Sequence, residues 1–176
     1  MRTIELTCAP ELDRAVRAVW RQLADGGVDS LADNPHPAHR PHLTLAACGA
    51  IGPEELAALG ELLAGALPLE VRFSGLLSFS ARSRRRVLAW GVVPSPELVD
   101  LHREVWRLLA GAPEPDPRYV PGRWMPHLGL TRRVEPAGLV LAHELLGRHP
   151  DLTGTFDAAR TFDSESRLTV PLPQSL

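Results

Sequence analysis

Two histidines, His42 and His127, stand in matching pentapeptides half a chain apart. Pro41-His42-Leu43-Thr44-Leu45 recurs as Pro126-His127-Leu128-Gly129-Leu130, and only Thr44 and Gly129 differ. An unperturbed imidazole has a pKa near ~6.5, so near neutral pH one ring can take a proton while another gives one. That pairing suits phosphodiester chemistry. A neutral imidazole deprotonates the attacking hydroxyl or water, and an imidazolium protonates the leaving oxygen. Each transfer is typically worth about 10²–10⁴-fold in rate. A hydroxyl such as that of Thr44, or backbone donors beside the histidines, would steady charge growing on the phosphoryl oxygens. The scheme calls for no metal and no cofactor.

For these residues to act together they must share a surface. Side chains alternate across a strand. In the first copy His42, Thr44, Ala46 and Cys48 fall on one face and Leu43, Leu45 and Ala47 on the other. In the second copy His127, Gly129, Thr131 and Arg133 share a face opposite Leu128 and Leu130. The leucine faces can pack on helices, while the histidine faces suit the walls of a cleft.

The elements around the motifs follow from period and punctuation. Strands are expected over Arg2–Ala9, Pro41–Cys48, Leu69–Ser80, Arg86–Val93, Met125–Arg133, Thr153–Phe162 and Arg167–Leu172. Helices are expected from Pro10 to the Gly26-Gly27 stop, from Gly52 to about Leu67, over Pro96–Ala110 and over Pro136–Arg148. Residues 28–41 and 111–123, rich in proline, read as loops. The order is α+β with an internal echo. It predicts one bilobal domain over 1–176, with two antiparallel sheets related by a pseudo-twofold axis about a central cleft and helices outside.

Other residues are weaker candidates. His36, His39 and His42 are spaced three apart, which invites a metal reading, yet the prolines between them exclude a helix and no Cys or carboxylate joins them at ligand spacing. We therefore expect a loop rim there, with His36 or His39 able to touch substrate. Arg82, Arg84, Arg85 and Arg86 form the densest basic run and could grip an RNA backbone or simply solvate a hairpin tip. Tyr119 and Trp124 precede the second motif and could stack on a base. Arg133 could pair with phosphate or end its strand in solvent. Trp90 reads as core. His102, His143 and His149 read as surface residues.

Composition narrows the field. The chain has 176 residues, a formal charge of −2 and 19 basic residues, every one an arginine. Lysine-based nucleophiles, Schiff bases and a Walker lysine are excluded. A near-neutral chain does not bind nucleic acid by bulk charge, so any RNA contact must be local. Cys8 and Cys48 sit in apolar stretches and read as buried thiols. No Gly-x-Ser-x-Gly elbow or Gly-x-Gly-x-x-Gly turn is present. The start of the chain turns charged at once and no apolar run reaches membrane-span length, so a cytoplasmic monomer without a membrane partner is expected.

At the two pentapeptides the sequence resembles the 2H phosphoesterase superfamily, and within it the bacterial 2′-5′ RNA ligase and cyclic phosphodiesterase branch. The hallmark is two copies of His-hydrophobic-Thr/Ser-hydrophobic, one per lobe. His42-Leu43-Thr44-Leu45 matches fully, and His127-Leu128-Gly129-Leu130 departs at the hydroxyl. Arg86–Val92 resembles the strand that leads to the second-lobe helix. The resemblance implies metal-free cleavage of 2′,3′-cyclic phosphates or 2′-5′ linkages in RNA ends or small nucleotides, and in some members reversible RNA joining. It implies that His42 and His127 are the acid and base, in either order, and that Thr44 donates to phosphate. Gly129 removes one donor. Thr131, two residues on, could replace it for a substrate that sits deeper, or the bare glycine could admit a bulkier ester. A third outcome is a protein that binds RNA or nucleotides with little or no turnover.

Overall fold

Every α-helix among the described residues opens on a proline, Pro10, Pro53, Pro96 and Pro136, each in the first turn. Proline costs little there because the first-turn N–H groups have no partner within the helix, and its ring presets the helical φ. In the computed structural model, which describes residues 1–81, 83–147 and 152–173, these helices are α1 (Pro10–Asp25), α2 (Pro53–Ala66), α3 (Pro96–Leu108) and α4 (Pro136–Leu146). Leu12, Val16, Trp20 and Leu23 recur at helical spacing and are the buried face of α1. On α3 the Ser95 hydroxyl accepts from the Leu98 N–H, and Leu98, Leu101, Val105 and Trp106 are buried. No helix among the described residues is long and apolar enough to cross a membrane.

The strands are β1 (Arg2–Cys8), β2 (His42–Cys48), β3 (Leu69–Ser80), β4 (Arg86–Val92), β5 (His127–Gly129), β6 (Leu152–Asp163) and β7 (Thr169–Leu172). All pair antiparallel in the order β1-β2-β5-β4-β3-β6-β7. The long β6 also pairs with β1 and so closes six strands into a ring. Two arrays are visible within it. One holds β2, β1, the second part of β6 and β7; the other holds β5, β4, β3 and the first part of β6. They meet at β2 and β5 through one register pair, Leu43 opposite Leu128. This is the expected α+β bilobal arrangement, with its two sheets joined at both ends.

Two strands differ from the sequence reading. The last begins at Thr169 and not at Arg167. The strand expected over Met125–Arg133 is only His127–Gly129. Beyond it, Leu130 and Thr131 both direct their N–H groups at the Leu88 carbonyl, at 2.9 and 3.2 Å. Two consecutive donors on one acceptor make a bulge, and a bulge resets side-chain parity. Thr131 consequently turns inward, 1% exposed, in a bridge to Ser30. Arg82, Arg148 and His149 lie outside the described residues.

Candidate active site

The Leu43–Leu128 pair brings the two motifs side by side. Continuing that antiparallel register sets His42 across from Gly129 and Thr44 across from His127. The histidines then lie on one diagonal of a four-residue patch, and Thr44 and Gly129 on the other. Diagonal neighbours in such a pair have Cβ atoms about 7–8 Å apart. The two buried leucines anchor the patch from beneath, both 0% exposed.

Both imidazoles are held in the same way. His42 Nδ1 lies 2.8 Å from the Arg40 carbonyl oxygen, and His127 Nδ1 lies 2.7 Å from that of Met125. Each acceptor is two residues upstream of its histidine. A carbonyl only accepts, so Nδ1 carries the proton in each ring and Nε2 is the nitrogen left for chemistry.

The surroundings then diverge. His42 Nε2 stands 3.8 Å from Glu5 Oε1. Glu5 is buried at 3% exposure and pairs across β1 and β6 with Arg160, whose Nε donates to Oε2 at 2.7 Å. Thr3 donates to Oε1 at 2.7 Å, and Arg160 also donates to the Ala38 carbonyl. Burial opposes ionisation of Glu5. The charges of His42 and Arg160 and these hydrogen bonds outweigh it and hold the carboxyl below its ordinary value. A register shift between Ile4 and Glu5 sets Glu5 opposite Thr44 and so on the histidine face.

His127 sees the opposite charge. Burial lowers its pKa, and the His42 and Arg118 charges push the same way, against the favourable Met125 hydrogen bond. Its ring lies 4.5 Å from that of Phe79. It lines a cavity of about 780 Å³ together with Arg118, Tyr119, Arg123 and Arg133. His42 lines a different cavity, of about 230 Å³, with Glu5, His36, His39 and Arg160.

The loop before β5 is pinned to the first motif. Tyr119 stands beside the Thr44 side chain, and Trp124 Nε1 donates to the Thr44 carbonyl at 3.0 Å. His102, expected at the surface, is buried at 3% exposure. Its Nε2 lies 2.7 Å from the Tyr119 carbonyl, and its ring stacks on Trp124 at 3.9 Å. One face of Trp124 is thereby taken by a histidine. Arg118 extends from Asp116 over the Tyr119 ring, 5.7 Å from its centroid.

Of the residues singled out by sequence, the fold gathers His42, Thr44, His127, Gly129 and Tyr119, and Arg133 reaches the His127 cavity. Thr131 is not brought there. Its hydroxyl accepts from Leu88 N at 2.9 Å and donates to the Arg132 carbonyl. At Gly129 a Cβ would lie 3.0 Å from Leu31 Cδ1, so a side chain there must displace the end of Leu31.

Within the basic run, Arg86 donates to Ser78 and Ser80, and Arg85 pairs with Glu135 at 2.8 Å. Among the described residues, the cations that line the His127 cavity are Arg118, Arg123 and Arg133. Trp90 is core, 7% exposed. Among the described residues no group of three or more His, Cys, Asp or Glu side chains is arranged to hold a metal ion. His39 stacks on Trp20 at 4.9 Å, and His36 meets the edge of Phe162. Sequence reading missed Glu5, whose signal was its place between Thr3 and Thr7 on the polar side of β1. It also missed Arg118 and Arg123, which carry no periodic signal.

Known proteins share this architecture. A crystal structure of TT0787 of Thermus thermophilus matches with a TM-score of 0.58 at 23% identity, over 100% of both chains. Escherichia coli LigT complexed with 3′-AMP matches at 0.55 and 16% identity, over 97% of this chain and 94% of that one. Kluyveromyces marxianus Usb1 matches at 0.55 and 13%, over 97% of each. At these identities the likeness is one of fold. No curated protein matches by sequence. The model of the 2′-5′ RNA ligase superfamily matches residues 10–167, nearly the whole chain and both histidine motifs, and this chain therefore belongs to that superfamily of 2H phosphoesterases.

Proposed function

We propose that the chain is a phosphoesterase that opens 2′-5′ phosphodiesters and 2′,3′-cyclic phosphates of RNA ends or small nucleotides without a metal. One observation carries this reading: two imidazoles on one sheet diagonal, each with Nδ1 spent on the carbonyl two residues upstream and Nε2 left over. The ligands named for the relatives, 3′-AMP in LigT and uridine monophosphate in Usb1, agree with a nucleotide substrate.

The environments divide the roles. His127 is favoured as a neutral ring by burial and by Arg118, and it acts as the base. His42, whose Nε2 stands 3.8 Å from the Glu5 carboxylate, acts as the acid. With a 2′-5′ linkage the adjacent 3′-hydroxyl gives its proton to His127 Nε2 and attacks phosphorus. The bond from phosphorus to the departing 5′-oxygen breaks as His42 delivers its proton there, leaving a 2′,3′-cyclic phosphate. Hydrolysis reverses the roles: His42 deprotonates water and His127 returns its proton to the opening ring oxygen. Thr44 and the cleft arginines stabilise the phosphoryl oxygens.

The test is turnover of 2′-5′ dinucleotides and 2′,3′-cyclic nucleotides by the purified chain in excess EDTA. Cleavage that survives both His→Ala changes, or that EDTA abolishes, would overturn the reading. Gly129 favours a second one, nucleotide binding with little turnover, because the hydroxyl its motif expects is absent. Gly129→Thr separates the two. Its Cβ meets only the flexible end of Leu31, so a rise in cyclic-nucleotide turnover marks an enzyme short of one donor. Binding of the same nucleotide with no turnover in either form marks a binder.

A further inference from the structure

The cavity on the His42 side plays no part in holding the nucleotide beside His127, since the two cavities share no lining residue. It is small, about 230 Å³, below the about 300–1,000 Å³ of drug-sized ligand pockets, and it suits one flat ring system with a sugar. Its walls have three properties that together describe a ligand. Aromatic rings line it: His36 stands edge-on to Phe162 at 5.6 Å, and His39 edge-on to His42 at 6.3 Å. Its buried charges are matched, because Arg160 is committed to Glu5 and to the Ala38 carbonyl, while the exposed Arg167 stands at its rim. A second phosphate at the buried wall would meet the Glu5 carboxylate, so the part of the occupant seated there is uncharged. Finally, one polar atom is unsatisfied. His39 Nε2 is buried without a hydrogen-bond partner, in a ring stacked on Trp20. Such atoms are rare in proteins because an unmade buried hydrogen bond is costly.

We infer that this cavity is the subsite for the departing nucleoside, whose base lies among His36, His39 and Phe162 with His39 Nε2 hydrogen bonded to its edge. The inference rests on the phosphoesterase reading and extends it. His42 forms part of the cavity wall, so a 5′-oxygen leaving toward it is delivered together with its nucleoside. The substrate is then a two-nucleoside diester spanning both cavities, with the phosphorus on the histidine diagonal. A 2′,3′-cyclic mononucleotide uses only the His127 side, and water takes the place of the departing alcohol.

The experiment compares adenylyl-2′,5′-adenosine with adenosine 2′,3′-cyclic phosphate in the parent and in Ser164→Trp. Ser164 lines the cavity and has no part in the reaction, and the indole obstructs the space. The expected result is a KM for the dinucleotide raised about tenfold or more, with kcat/KM for the cyclic nucleotide within about twofold. Equal losses on both substrates, or none on either, would overturn the subsite. Adenosine alone, titrated into the parent, gives a readout that depends on neither the variant nor turnover. The His39 imidazole ¹⁵N signals and the Trp20 fluorescence should shift at millimolar nucleoside, and unshifted signals overturn the subsite. A parent that cleaves neither substrate while adenosine still shifts His39 overturns the catalytic reading and the leaving-group role with it.

Discussion

The two halves of the site share a backbone plan and differ in almost everything attached to it. On each side a buried leucine follows the histidine, and the carbonyl two residues upstream holds Nδ1. Around His42 the fold adds a buried carboxylate backed by an arginine, in a small cavity. Around His127 it adds three guanidinium groups and the Phe79 ring, in a cavity of about 780 Å³. Pseudo-symmetry thus fixes where the nitrogens stand, while the charges around them are unequal. Acid–base catalysis needs that inequality, because two rings in the same protonation state cannot both give and take.

Removing either ring is the strongest way to break the comparison. His42→Ala and His127→Ala should each lower kcat/KM for a 2′-5′ dinucleotide by about 10²–10⁴-fold. The double variant should fall little further, since residues that act as a unit are not additive. A loss confined to one histidine would end the two-ring scheme.

Next come the carboxylate partners. Glu5→Gln leaves Arg160 buried without its counter-charge, and breaking a buried pair costs about 3–5 kcal/mol. Asp116→Asn loosens Arg118, whose side chain is 76% exposed, and should cost about 1 kcal/mol or less. Urea unfolding of both variants at pH 7 measures the contrast, and equal costs would erase it.

The third effect is pH-dependent and belongs to the His42 side. Burial pushes the His39 imidazole down to about 4, from an unfolded value near 6.5. Between those values the unfolded chain binds the proton and the folded chain does not, so stability rises with pH. The contribution is complete above about pH 6.5 and is lost as pH falls toward 4. Between pH 7 and 4.5 the parent should lose about 2 kcal/mol that His39→Phe, which keeps the stack on Trp20, does not lose. Parallel unfolding curves at the two pH values, for parent and variant, would show otherwise.

The smallest effect is on the His127 side. Burial and the Arg118 charge depress His127, so the acid limb of kcat/KM should lie below the ordinary imidazole value. Arg118→Ala should move that limb up by a fraction of a pH unit, because burial is the larger cause. A downward move would mean that Arg118 does not face the base.

What the sequence made legible was the part encoded in period and repetition. The pentapeptide echo located His42 and His127, and alternation set Thr44 on the same face. Alternation also misled at Thr131, because the shared Leu88 carbonyl introduces a bulge that no residue type announces. His102 was misread from its charged sequence neighbours, although it sits among Leu98, Leu101 and Val105 on the buried stripe of α3. Glu5 was readable in principle, on the polar side of β1, but its meeting with Arg160 joins positions 155 residues apart. Arg118 and Arg123 come from a loop whose path depends on the Tyr119 and Trp124 anchors, which are tertiary contacts.

β6 crosses both arrays, and its pairing with β1 closes the ring. The hoop is thinnest where β2 meets β5, at the single pair Leu43–Leu128. Spreading the histidines apart would mean bending β6 or parting Leu43 from Leu128, and both leucines are sealed in the core. The catalytic span is therefore set like a fixed gauge, not reached by a closing jaw. Substrates are sorted by whether their attacking and departing oxygens match that span across one phosphorus. The rate for a good substrate should then follow diffusion and bond-making, with no domain motion to wait for.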